Sequence, residues 1–257
     1  MKQIIDQHMH TNISEDSQAT MDSMCLSAIE KKVDIISFTE HVDFNPADLG
    51  YQFFDEKRYS GEIDRMRITY SNRLSIMKGV EFDAPHLYPK EFKKITDGDY
   101  DIILGSVHMM DDKFVGESIL LERMSLETLF KRYYEQLLDL VSFGGFDVVA
   151  HFDFPKRYYM KNILNETMTE EILKTMIDKG IALEINTSTL RKGYHESSPG
   201  RDILEKYAAL GGEMITIGSD AHIPEDISAG FDYADNLIQS IKGLKPGYFK
   251  NREFKAV

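Results

Sequence analysis

The stretch Asp6-Gln7-His8-Met9-His10-Thr11, directly after the apolar pair Ile4-Ile5, sets two imidazoles one residue apart. In extended backbone, residues i and i+2 face the same side, so His8 and His10 could serve one ligand. On its own such a pair is ambiguous between packing and metal binding. The remaining histidines of the eight in this chain bear on the choice. His41, His108 and His151 stand at or just beyond the trailing ends of short apolar runs, and His222 follows another in "GSDAH", two residues after Asp220. A further run ends in "GVE" and puts Glu81 at the equivalent place. Only the run ending "EINTS" offers no strong ligand, although Glu184 and Asn186 are polar residues in an otherwise apolar strand. His86 in "DAPHLYP" and His195 in "KGYHESSP" read as loop residues outside the pattern.

Burying so many imidazoles and carboxylates without a cation would leave costly unpaired polar groups. Neutral imidazole and carboxylate are ordinary ligands of divalent first-row metals, so the pattern points to a metal site. Mixed nitrogen and oxygen donors suit Zn, Mn or Fe. The absence of cysteine from the set argues against a structural zinc knot.

Such residues need strands to carry them. Seven runs read as strands: 3–10, 33–41, 74–82, 100–108, 146–154, 181–188 and 213–222. Helical spacing fills the intervals. Met21, Met24, Cys25, Ala28 and Ile29 make one buried stripe, and Leu126, Leu129, Phe130, Tyr133, Leu137 and Leu140 make another behind a Ser125 N-cap. Ser198-Pro199 is expected to open a helix that Gly211-Gly212 closes, and Gly180 to end one that begins near Thr169. Strands apolar on both faces, alternating with helices, imply an α/β fold with a parallel sheet covered by helices. In such folds the C-terminal strand ends carry the chemistry. A closed barrel gathers those ends around one mouth and an open sheet spreads them along a line, so the converging ligands favour a TIM-like barrel.

Bulk properties set the outer limits. With 257 residues, 42% hydrophobic and 28% charged, the chain suits one globular domain, taken here as 1–257. No stretch approaches the roughly 18–20 apolar residues of a membrane span, and "MKQIIDQHMH" lacks the apolar core of a secretory signal. The single cysteine, Cys25, excludes an intramolecular disulfide and fits a cytoplasmic location. A net charge of −13 argues against nucleic acid or anionic membrane as partner. It leaves a small anionic substrate open, because metals and a few arginines can make one pocket positive. No assembly signal speaks to oligomeric state.

The ordered set "DQHMHTNISEDS", "TEH", "GVE", "GSVH", "AHFDF" and "GSDAH" resembles the polymerase and histidinol phosphatase (PHP) family from residue 6 to 222. Within it, "AHFDFPKRY" and "EINTSTLRKG" are similar to the stand-alone histidinol-phosphate phosphatases. The resemblance implies a distorted (β/α)7 barrel and a trinuclear metal site. His8, His10, Glu81 and Asp220 would hold one metal, and Glu81, His108 and His151 the second, with Glu81 bridging. Asp16, His41 and His222 would hold the third, Glu15 and Asp22 being the acids most easily confused with Asp16.

The implied reaction is hydrolysis of a small-molecule phosphate monoester, most simply L-histidinol phosphate, by in-line attack of a hydroxide held between two metals. Arg157 and Arg191, near strand ends, are candidates for binding the phosphate. Asp220 and His222 lie nearest the reacting centre by motif, but which group protonates the leaving alcohol stays open. Asp43 and Asp153 are candidates for orienting ligands from behind, and Asp6 for orienting one imidazole of the His8/His10 pair. Segments 42–73 and 111–124, with Asp111, Asp112 and Glu117, are candidates for an acidic rim that would favour a cationic substrate, a solvated loop being the leading reading of each. A nucleotide phosphodiesterase and a non-catalytic metal-binding barrel are the alternatives.

Overall fold

The computed structural model describes residues 3–257. Met1 and Lys2, which belong to the N-terminal segment and to the 1–257 domain extent read above, lie outside the described residues. Along the chain come β1 (Ile5–Asp6), α1 (Met21–Glu30), β2 (Ile35–Val42), α2 (Glu56–Thr69), β3 (Ser75–Asp83), α3 (Pro89–Thr96) and β4 (Ile102–Ser106). A small hairpin follows, β5 (Met109–Met110) and β6 (Lys113–Phe114), then α4 (Ile119–Arg123), α5 (Leu126–Phe143), β7 (Val148–Val149) and α6 (Lys156–Tyr159). The rest is α7 (Glu166–Lys179), β8 (Ala182–Asn186), α8 (Ser188–Arg191), α9 (Arg201–Ala209), β9 (Met214–Gly218), α10 (Phe231–Ser240), β10 (Lys245–Lys250) and β11 (Glu253–Ala256).

The sheet runs in the order β1-β2-β3-β4-β7-β8-β9-β10-β11, and every neighbouring pair from β1 to β9 is parallel. These parallel strands correspond to the seven predicted runs. β1 and β9 are themselves joined: Met9 bridges Ala221 in parallel, Gln7 N donates to Ile217 O at 3.1 Å, and Asp220 N donates to His8 O at 2.8 Å. The main apolar core lies between strands and helices, as expected for strands buried on both faces. Phe38, Phe82, Phe130 and Tyr133 are fully buried within it.

Local chemistry explains the helix boundaries, including two that differ from the sequence expectation. Ser125 accepts from Thr128 N and starts α5 as predicted. α7 begins three residues before Thr169, at Glu166, because Asn165 accepts from Met168 N and supplies the cap. Pro199 does not open α9: Ser198 exchanges both main-chain hydrogen bonds with Asn186 (2.8 and 2.9 Å), and the helix starts at Arg201 after a Gly200 N-cap. Gly180, at φ +67°, ends α7 in the left-handed conformation as read.

Beyond the seven runs, the chain ends in a hairpin that no hydrophobic period in the sequence marks. β10 pairs parallel to the start of β9 and antiparallel to β11 through the two-residue turn Asn251-Arg252, both at positive φ (53° and 63°). Phe249 packs against Ile102, Leu104, Val148 and Ala182, at the N-terminal side of the sheet. Gln7 clamps its backbone, accepting from Phe249 N at 2.8 Å and donating to Phe249 O at 3.1 Å. Among the described residues no helix is long and apolar enough to cross a membrane.

Candidate metal centre

Glu81 lies on β3 beside its Cα partner His41 on β2, so the parallel register alone brings an acid and an imidazole together. The other candidates follow strand ends. His8 and His10 come just after β1, His108 after β4, His151 after β7, and Asp220 and His222 after β9. His151 and Asp220 adopt φ of +29° and +54°, which non-glycine residues rarely hold. Hydrogen bonds from His151 N to Glu184 Oε2 and from Asp220 N to His8 O, each 2.8 Å, secure these two bends.

The Glu81 carboxylate divides between two groups of histidines. Its Oε2 lies 3.2 Å from His8 Nε2, 3.5 Å from His10 Nε2 and 3.2 Å from His41 Nδ1. Its Oε1 lies 2.7 Å from His151 Nε2 and 3.4 Å from His108 Nε2. Asp220 Oδ1 faces His8, His10 and His222 at 3.6–3.8 Å. Asp16, half-exposed, reaches His222 Nε2 at 2.9 Å and His41 Nε2 at 3.5 Å. The rival acids sit elsewhere: Asp22 accepts from the Tyr70 hydroxyl, and Glu15 lies exposed on the cavity wall. His8/His10/Asp220, Glu81/His108/His151 and His10/His41/His222 each converge closely enough to share an ion, as does His41/Asp43/His108.

A layer of buried polar groups positions these side chains, and much of it was missed in the sequence. Glu184 receives His8 Nδ1 at 2.6 Å and, through its other oxygen, His151 N and Asn186 Nδ2. Asp6 does not orient an imidazole; its carboxylate accepts from the main chain at Ser219 and Ser228 (both 2.9 Å), and Glu184 orients His8 instead. Glu40 accepts from Thr11 and Ser14, and Ser14 Oγ lies 3.3 Å from His10 Nδ1. Asp83 accepts from His108 N at 2.6 Å. Asp153 is turned to Lys156, Asn162 and Ser198, away from the histidines.

Arg157 and Arg191 take different places. Arg157 Nη2 donates to Asp220 Oδ2 at 2.5 Å and Asn186 Oδ1 at 3.0 Å, with its guanidinium 4.8 Å from the Phe154 ring centre. Arg191 donates to the main-chain oxygens of Ser219 (2.8 Å) and Asp220 (3.3 Å) and pairs with Asp226 at 3.0 Å, which fixes the backbone behind the site. Its neighbour Lys192, unremarked in the sequence, lines the cavity.

That cavity, of about 560 Å³, opens over the histidines. Segment 42–73 contributes Asp43, Ala47, Asp48, Leu49 and Gly50, while α2 takes up most of its remainder. Glu117 and Phe114 come from the second candidate rim segment. Asp111 and Asp112 do not join them, being paired with Arg132 and Arg123. Burial lifts the Asp43 carboxyl to about 7 and that of Asp83 to about 6. Burial opposes charge on Glu81 too, but His8, His108 and His151 outweigh it and hold its pKa well below the carboxylate range. For Asp220, Arg157 and the surrounding histidines do the same against burial.

The donor set fits divalent cations. The contact with Glu184 occupies Nδ1 of His8 and leaves Nε2 facing Glu81 and Asp220, so imidazole nitrogens and carboxylate oxygens converge on a common space. His41 Nδ1, which faces Glu81, and His222 Nε2, which faces Asp16, are buried without a well-directed hydrogen bond. A cation satisfies such groups where a proton cannot serve all of them.

The PHP domain family matches residues 6–188, and the chain belongs to that family. More particularly, it is 30% identical to a probable histidinol-phosphatase of Clostridium acetobutylicum, over 98% of this chain and 99% of the relative. It is 29% identical to the histidinol-phosphatase of Lactococcus lactis, covering 91% of this chain and 90% of that one. In three dimensions it is similar to the crystal structure of the L. lactis histidinol phosphate phosphatase complexed with zinc, L-histidinol and phosphate. There the TM-score is 0.86 at 25% identity, with 98% and 99% of the two chains covered.

Proposed function

We propose that this protein is a metal-dependent phosphatase that hydrolyses L-histidinol phosphate to L-histidinol and phosphate, in the cytoplasm. The observation that carries the reading is the Glu81 carboxylate, whose two oxygens face different histidine groups at the floor of one cavity. Full-length similarity to histidinol-phosphatases supports the choice of ester. We read the chain as one domain over 1–257 and its parallel strands, joined from β9 back to β1, as a distorted seven-stranded barrel.

In this reading the centre holds three ions of Zn, Mn or Fe: one by His8, His10, Glu81 and Asp220, one by Glu81, His108 and His151, and one by Asp16, His41 and His222. Bound divalent cations supply Lewis acidity that activates water for attack on phosphorus and offsets phosphoryl charge. Glu184 holds His8 in a ligating tautomer, and Arg157 fixes the far oxygen of Asp220 so that Oδ1 faces the histidines. Asp220 and His222 lie on the wall where the ester enters, and Arg191 acts on them through the Ser219–Asp220 main chain. Asp48, Glu117 and Glu15 give the wall negative charge that suits the amine and imidazole of histidinol and disfavours a polyanion.

The test is phosphate release by the remetallated protein from L-histidinol phosphate, a dinucleotide and 4-nitrophenyl phosphate. Preferential turnover of histidinol phosphate is expected. Preference for the dinucleotide would move the assignment to a phosphodiesterase, and no turnover of any of the three would overturn the enzyme reading.

A further inference from the structure

Arg191 and Lys192 are consecutive, yet their side chains part at the end of α8. Arg191 goes to the carbonyls of Ser219 and Asp220 and to Asp226. Lys192 lines the cavity, its Nζ 5.6 Å from the centre of the Tyr158 ring. Its main chain is fixed by the hydrogen bond from its N–H to Thr189 O at 3.0 Å, so the side chain leaves from a defined point.

Among the described residues, the cations lining this cavity are Arg157 and Lys192. Arg157 is committed: Nη2 is shared between Asp220 Oδ2 and Asn186 Oδ1, and the guanidinium lies over Phe154. Lys192 has no ion-pair partner among the described residues, although the cavity wall is rich in carboxylates. Partial burial and the like charge of Arg157 push its ammonium below the ordinary lysine value. A cation near a second cation, which feels Asp220 and Asp16 but is paired directly with neither, is placed to receive an anion.

We propose that Lys192 binds the phosphoryl group, its ammonium donating to a non-bridging oxygen of the bound monoester and of the phosphate product. The proposal rests on the phosphatase reading above and gives Lys192 the direct contact expected in the sequence of Arg191. Lysine suits the task as a mobile point charge at the rim, where a phosphoryl group must both arrive and leave.

The test uses the full metallated chain with Lys192→Met and Lys192→Arg, and inorganic phosphate as probe. Phosphate binding is measured by calorimetry and by inhibition of 4-nitrophenyl phosphate turnover, with KM and kcat for both esters and metal content determined in parallel. Lys192→Met should weaken phosphate binding about tenfold or more, the loss of one charge-assisted hydrogen bond. It should raise KM for both esters by a similar factor, change kcat less and keep the metal. Lys192→Arg should recover part of the affinity. Phosphate affinity and KM within about twofold of wild type would make Lys192 an ordinary solvated lysine, the size expected of a surface substitution. A fall in kcat alone, or loss of metal, would also overturn the proposal. Wild-type protein that turns over neither ester would sink the phosphatase reading itself, while the calorimetric comparison would still report on Lys192.

Discussion

At the scale of single residues, the proposed centre turns on Glu81 and on what lies behind the histidines. Glu81 is the group common to both sides of the cluster, so Glu81→Ala should remove bound metal and activity together, measured as metal content and phosphate release on the same sample. Glu184 touches His8 Nδ1 and His151 N but belongs to none of the proposed ligand sets. Glu184→Ala should keep the fold and weaken metal affinity by roughly 10–100-fold, the range typical of lost outer contacts to a ligand. Competition with a chelating dye measures this, and unchanged affinity would return Glu184 to a packing role. The histidines were legible in the sequence because their residue type is uncommon and their position after apolar runs repeats. Glu184 was noticed only as a polar residue in an apolar strand, with no sign that its oxygens serve two different strand ends. Lys192 had no signal, since a lysine after a short helical turn looks like any solvated one. Proximity in sequence makes Asp6 look like an imidazole partner, whereas its carboxylate accepts from main-chain N–H groups of a distant segment.

At the scale of elements, the strands and stripes were readable because burial on one or both faces leaves a period in the sequence. The sequence points to Pro199 as the start of α9 because proline is a good first helical residue in general. Here Ser198 is drawn to Asn186, and the helix begins beyond it. The hairpin β10–β11 escaped notice because "KPGYFKNREFKA" is rich in charge and buries little apart from Phe249. Its turn has an Asn signal, but the second turn residue is Arg252, held at positive φ by contacts to Asp147 and the Gly145 carbonyl that only the fold supplies. Phe249 fills the space among Ile102, Leu104, Val148 and Ala182, at the opposite ends of the strands from the histidines. Phe249→Ala should therefore cost about 3–5 kcal/mol of stability in denaturant unfolding. The activity of the protein that remains folded should be close to wild type. Equal stability would show that the hairpin is peripheral to the fold.

At the scale of the whole molecule, an acidic chain of net charge −13 must attract an anionic ester. Long-range charge works against that approach, so the positive potential has to be local, from cations at the strand ends together with Lys192. The parallel order from β1 to β9, and the hydrogen bonds that join β9 back to β1, are what allow six histidines from five strand ends to meet at the floor of one cavity. A line of strand ends in an open sheet could not bring His8 next to both Glu81 and Asp220.

The central claim is that this centre hydrolyses L-histidinol phosphate only when it holds divalent metal. Its most direct test is phosphate release from that ester by the full chain before chelation, after complete metal removal, and after restoring Zn, Mn or Fe. Turnover should disappear with the metal and return with it. Undiminished hydrolysis by the metal-free protein would contradict it.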